Sequence, residues 1–111
     1  PGLSATCYPT GVAAVPVEVL EAAMPVEFTR KELRRGSGGA GRQRGGDGQV
    51  IGYRMRTRDP WLLNVVASRT ELPPQGLEGG EPGAPGRFLV NGEPVNEARK
   101  MVMQPGDEVL M

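Results

Sequence analysis

Between Arg34 and Gly48 the chain reads RRGSGGAGRQRGGDG, seven glycines and four arginines in fifteen positions. A helix cannot tolerate that density, because each interior glycine costs about 1 kcal/mol relative to alanine. A strand with so few side chains has little to pack. The stretch must be a turn or loop, and what flanks it is then expected to be extended. A second interrupted stretch, Leu72 to Arg87, holds Pro73, Pro74, Gly76, Gly79, Gly80, Pro82, Gly83, Pro85 and Gly86. Such composition is common in linkers, since it offers little to bury. Leu77 in its middle and its length favour instead a loop ordered for a function or an interface. We expect order.

Around these loops the elements are short. Val15–Met24 is the one expected helix, with Pro16 in its first turn, Glu18 and Glu21 early, and Pro25 as a stop. Val26–Arg34 reads as a strand exposed on one face and leads directly into the glycines. Gln49–Thr57 alternates, setting Ile51, Tyr53 and Met55 against Arg54 and Arg56. After the Asp59-Pro60 turn, Trp61–Ser68 is the most apolar run and predicts a central strand covered on both faces. These last two are expected to pair as an antiparallel hairpin. Asn91-Gly92, between Arg87–Val90 and Glu93–Val95, is the strongest local hairpin signal. Lys100–Met103, a turn at Gln104-Pro-Gly-Asp107, and Val109–Met111 complete the chain. The expectation is a mainly β fold: a single small domain, residues 1–111, of about six short antiparallel strands in a sandwich or irregular barrel, with one short helix near the N-terminus.

Composition narrows the chemistry. The chain has one cysteine, Cys7, and no histidine, so no internal disulfide, no common zinc arrangement and no Ser-His or Cys-His nucleophile pair can be assembled from it. No metal ligands are assigned. No apolar run approaches the ~20 residues of a membrane span, and a signal peptide is not read at the start. No membrane partner is expected, and a cytoplasmic location follows as the default. Charge cancels overall but not locally: Val26–Thr70 holds ten Arg/Lys against four Asp/Glu, and Glu71–Met111 holds three against seven. Solvated faces whose charges meet within the fold explain this most simply, and a basic face for an anionic ligand is the other reading. Because the first residue is Pro1 and Asp107–Met111 stops within an expected strand, we expect a piece of something longer.

Three readings of the glycine stretch compete. Gly36-Ser-Gly38-Gly-Ala-Gly41 matches the G-x-G-x-x-G of dinucleotide-binding turns, but that turn needs a helix at its third glycine, and Arg42–Gly48 supplies three more glycines instead. The frame of a P-loop is also present, with Arg42 and Gln43 where the phosphate lysine and the magnesium hydroxyl belong. Arg42-Gln-Arg44-Gly-Gly46 resembles a single RGG element for single-stranded nucleic acid, yet it has no repeat and no stacking aromatic. Nucleic acid is therefore not expected as a partner. In the structural reading, which we take as the base case, the glycines allow positive φ and close backbone approach. The arginines cross-link the loop, with Asp47 accepting from Arg42 or Arg44.

The segment RKELRRGSGGAGRQRGGDGQVIGYRM resembles the signature of the hydantoinase B/5-oxoprolinase family. The stretches VPVEVLEAAMPV, PPQGLEGGEPGAPGRFLVNG and QPGDEVLM are similar to that family in the same order, so the resemblance covers nearly the whole chain. It implies a C-terminal β-rich portion of a hydantoinase B-like subunit, such as an N-methylhydantoinase B subunit, the matching half of 5-oxoprolinase or an acetone carboxylase α subunit. It also implies an ATP-dependent amidohydrolase acting on hydantoin- or 5-oxoproline-type cyclic amides. The carboxylase branch, and a purely structural module docked on the rest of its chain, stand as alternatives. The implied partners are the remainder of its own subunit and an A-type ATP-binding subunit. The implied cofactors of the whole complex are ATP and a divalent metal, with none expected in this piece. The chain departs from the family by lacking a Thr-Pro-Gly-Gly-Gly-Gly tail after Met111. No catalytic residue is carried over, and this piece alone is expected not to be an enzyme. The family's loop motif maps onto Ser37, Gly38, Gly39, Gly41, Arg42, Arg44, Gly45 and Gly46, as a possible substrate or interface contact.

Overall fold

A computed structural model describes residues 2–6, 13–95 and 99–111. Cys7 lies outside the described residues. Among them are one helix and seven strands: α1 (Val17–Ala23), β1 (Val26–Arg34), β2 (Gly48–Met55), β3 (Trp61–Val65), β4 (Leu89–Val90), β5 (Glu93–Pro94), β6 (Arg99–Met103) and β7 (Glu108–Leu110). The mainly β expectation holds, with seven short strands rather than six. They form a five-stranded sheet ordered β1-β2-β7-β4-β5 and a two-stranded sheet, β3-β6. All pairings are antiparallel, and neither sheet closes into a barrel.

Helix α1 starts after Pro16 and ends where Met24 turns extended ahead of Pro25. It buries no residue, so packing alone does not hold it. Glu21 ties it down instead: one carboxylate oxygen accepts the Phe28 N–H at 2.7 Å, and the other accepts from Arg56 at 3.2 Å. Strands β1 and β2 pair from Val26↔Met55 to Arg34↔Gly48, with a bulge between Phe28 and Arg30. The glycine stretch is therefore the connection of a long hairpin. The alternation in β2 is as expected, with Ile51, Tyr53 and Met55 half-buried and Arg54 exposed. At Asn91-Gly92 the predicted hairpin forms between β4 and β5, with φ of 51° and 83° at its two central residues. Positive φ at both is what a type I′ turn requires.

Two expectations are corrected. Trp61–Ser68 does not pair with Gln49–Thr57: both edges of β2 are taken, by β1 and β7, so the Asp59-Pro60 turn carries the chain out to a second sheet, where β3 pairs with β6. Nor is that run covered on both faces. It ends as a strand at Val65, with Leu63 and Val65 buried, Leu62 63% exposed and Val66 83% exposed. A continuous apolar run can mean two covered faces or one covered face beside a bare apolar one, and periodicity does not separate them. The core lies between the sheets, where Leu63, Val65 and Met103 meet Val90, Val95 and Val109, flanked by half-buried Tyr53, Trp61, Phe88 and Met101.

Candidate functional site

The glycine loop is ordered by backbone contacts in three directions. It folds back on itself through the Gly45 N–H, which donates to the Gly39 carbonyl at 2.9 Å. Residues 2–6 run along one side: the Gly2 N–H donates to the Arg44 carbonyl at 2.8 Å, and the Ala5 N–H to the Asp47 carbonyl at 2.7 Å. On the other side lies the second Gly/Pro-rich stretch, which is ordered as expected. The Ala84 N–H donates to the Ser37 carbonyl and the Glu81 N–H to the Ala40 carbonyl, both at 2.8 Å, making a short backbone seam. Arg34, the last residue of β1, closes the seam by donating to the Pro85 carbonyl at 2.7 Å.

Such close approach explains the glycines in steric terms. A Cβ on Gly39 would collide with the Glu81 carbonyl, and one on Gly38 with the Gly45 carbonyl. Both obstacles are backbone, which cannot rotate aside as a side chain would. Residues 41–47 form no helix and run straight into β2. The helix that a dinucleotide-binding turn needs at its third glycine is therefore missing.

The cross-link inside the loop is Asp47. One of its carboxylate oxygens accepts the Gly38 N–H at 3.0 Å and an Arg44 N–H at 3.2 Å, while its own N–H donates to the Ser4 hydroxyl at 3.0 Å. Of the two arginines considered for this role, Arg44 takes it. The Arg44 side chain is 52% exposed, so its charge is well screened. Ser37 works beside it, its hydroxyl accepting the Gly48 N–H at 2.8 Å. Arg42 and Gly41 are exposed at the outer bend.

Together the two loops form one wall of a broad cleft of about 1250 Å³, which also reaches the end of β1, Val66, Ala67, Ser68, Thr70, Leu110 and Met111. Of the motif residues, Ser37, Gly38, Gly39, Gly45 and Gly46 line it, whereas Gly41, Arg42 and Arg44 do not. The cleft brings in Arg34, Arg35 and Arg87 and the acidic Glu81, none of which the motif marked. The doubled Arg34-Arg35 at the strand end was the available signal.

A family model described as hydantoinase B/oxoprolinase matches residues 1–111, the whole chain. The chain belongs to the hydantoinase B/oxoprolinase family. It is 31% identical over 96 residues to an uncharacterised protein of Methanocaldococcus jannaschii, covering 86% of this chain and 16% of that protein. To 5-oxoprolinase of Saccharomyces cerevisiae it is 32% identical over 100 residues, 85% of this chain and 8% of that one. To 5-oxoprolinase 1 of Arabidopsis thaliana it is 35% identical over 80 residues, 72% and 6% respectively. The chain thus spans at most 16% of the length of these relatives. No solved structure matches it.

In this hydantoinase B/oxoprolinase chain the loop carries its own acid sensitivity. The Gly38 N–H, chiefly, holds the Asp47 carboxyl below the usual carboxylate range, with smaller help from the Gly36 and Ser37 backbone and Arg44 against partial desolvation. A carboxyl with a lowered folded-state pKa contributes stability above its unfolded pKa and loses it as pH falls through the folded value. Carbon-detected NMR titration should show Asp47 ionising below the ordinary range. The protection of the Gly38 amide against hydrogen exchange should fall in the same acid window, and Asp47→Asn should abolish that dependence. Titration of Asp47 at or above the ordinary range would count against the arrangement.

Proposed function

We propose that this chain is part of an ATP-dependent amidohydrolase subunit acting on hydantoin- or 5-oxoproline-type cyclic amides, in which the paired loops wall a substrate-facing cleft. The observation that carries this is the family match along the whole chain, joined to relatives that are themselves 5-oxoprolinases. An ATP-binding A-type subunit or domain and the remainder of the same subunit are its partners in this reading. The resemblance also brings a divalent metal. Among the described residues no group of three or more His, Cys, Asp or Glu side chains could hold one, so no step is assigned to a metal here. No helix among the described residues is long and apolar enough to cross a membrane.

A second reading, a docking module without a direct part in chemistry, is favoured by shape. The radius of gyration is 15.7 Å, with extents of 50 × 29 × 22 Å. A compact chain of this length would have a radius of about 13 Å. Leu62 and Val102 face each other across β3 and β6 and are 63% and 69% exposed. An apolar pair of that kind on an elongated body suits a piece that packs against more protein.

Both readings leave Arg44 outside the chemistry. Its guanidinium is committed to Asp47 and lies off the cleft, so in the complete complex Arg44→Ala is expected to keep turnover within about threefold while loosening the loop. A fall of roughly a hundredfold with assembly intact would instead make Arg44 a stabiliser of developing charge. The isolated 111-residue chain is expected to show no ATP-dependent hydrolysis of hydantoin or 5-oxoproline. Robust turnover by these residues alone would refute the view that they are one part of a larger catalytic unit.

A further inference from the structure

We infer that the cleft walled by the paired loops is an anion site, in which Arg34, Arg35 and Arg87 receive the carboxylate or phosphate group of a small organic molecule. The charges that line the cleft do not cancel. Arg30 is neutralised by Glu32 at 2.9 Å, and Asp47 by Arg44 at 3.2 Å. What remains is Arg34, Arg35 and Arg87 against Glu81. Among the described residues none of these three arginines forms an ion pair with an acidic side chain.

Arg34 is the anchor. It is half-buried, and its bond to the Pro85 carbonyl uses one N–H and holds the guanidinium at the seam of the two loops. A guanidinium has five N–H donors, so four remain, in a fork that fits carboxylate and phosphate oxygens. Because a backbone carbonyl already holds it, little side-chain entropy remains to be lost when an anion arrives. Arg35 and Arg87 are exposed and add field at the mouth. Leu33, Phe88, Leu89 and Leu110 supply apolar wall for the body of the ligand. A few convergent polar groups over an apolar lining is the usual make-up of a small-molecule site. A whole-chain net charge of zero favours a compact anion over a polyanion.

This inference deepens the proposed role of the same cleft, yet it can be tested apart from turnover. The 111-residue chain would be titrated calorimetrically, at fixed ionic strength, with sodium 5-oxoproline, with inorganic phosphate and with uncharged hydantoin. At least one of the two anions is expected to bind, hydantoin at least tenfold more weakly, and the anion binding should weaken as salt rises. Which anion binds distinguishes a carboxylate site from a phosphate site. Arg34→Met and Arg87→Gln should each weaken binding by tenfold or more, whereas Arg58→Gln, exposed and off the cleft, should leave it unchanged. Arg87→Gln removes an exposed side chain that makes no hydrogen bond or ion pair among the described residues, so its effect does not depend on loop integrity. The inference is overturned if neither anion binds, if hydantoin binds as well, or if Arg34→Met and Arg87→Gln bind like the parent. Anion binding in a chain whose complete complex never hydrolyses cyclic amides would keep the anion site and sink only the amidohydrolase reading.

Discussion

Replacing Gly39 by alanine is expected to open the seam between the two loops, although the change adds a single methyl group. The added carbon would meet the Glu81 carbonyl and the Pro82 backbone. The Glu81 N–H is bonded to the Ala40 carbonyl at 2.8 Å and the Ala84 N–H to the Ser37 carbonyl at 2.8 Å, so the two backbones can separate only by stretching or breaking both bonds. Overpacking of this kind costs about 1–3 kcal/mol. That is a large fraction of the ~5–15 kcal/mol that stabilises a typical domain. Hydrogen exchange should report it locally, with protection lost at the Glu81 and Ala84 amides first. The control lies two residues away in the same motif. A Cβ on Gly41 meets nothing nearer than 3.5 Å, an ordinary contact, so Gly41→Ala should change stability by less than about 0.5 kcal/mol. Equal effects at the two positions would mean that the seam does not constrain the loop.

The contrast between Gly39 and Gly41 also shows how far the sequence could be read. Density of glycine excluded helix and placed the loop between two strands, because propensity and turn chemistry act locally. Which glycine matters was not legible, since the obstacle to Gly39 is a backbone some forty positions along the chain. The same distinction runs through the strands. Asn91-Gly92 identified its hairpin, because a type I′ turn is decided by two adjacent residues. The expected pairing of Trp61–Ser68 with Gln49–Thr57 fails, because β2 finds its second partner in β7, far along the chain, where Tyr53 pairs with Val109. At the site, the motif led to Ser37 and the glycines that line the cleft. It passed over Arg34 and Arg87, which line one cleft because Pro85 is drawn onto the end of β1.

Core placement gives the largest expected effect. Met103, on β6 opposite Trp61, is 1% exposed and packs in the cluster that joins the two sheets. Truncating a buried methionine to alanine costs about 2–5 kcal/mol, from lost transfer energy and from the cavity left behind. The upper part of that range is expected here, because among the described residues the buried cluster holds six, Leu63, Val65, Val90, Val95, Met103 and Val109, and few of these neighbours can move in to fill the space. Val102, the adjacent residue on the same strand, points the other way and is 69% exposed. In the isolated chain Val102→Ala should therefore cost less than about 0.5 kcal/mol. Urea unfolding of the two variants tests the assignment of faces on β6: a shift in midpoint for Met103→Ala with little for Val102→Ala. The reverse order would mean that the two-stranded sheet packs on the core through its other face. If the exposed face of β3 and β6 is covered in the complete subunit, the cost of Val102→Ala should rise there toward the core value, because the side chain would then leave a cavity as well.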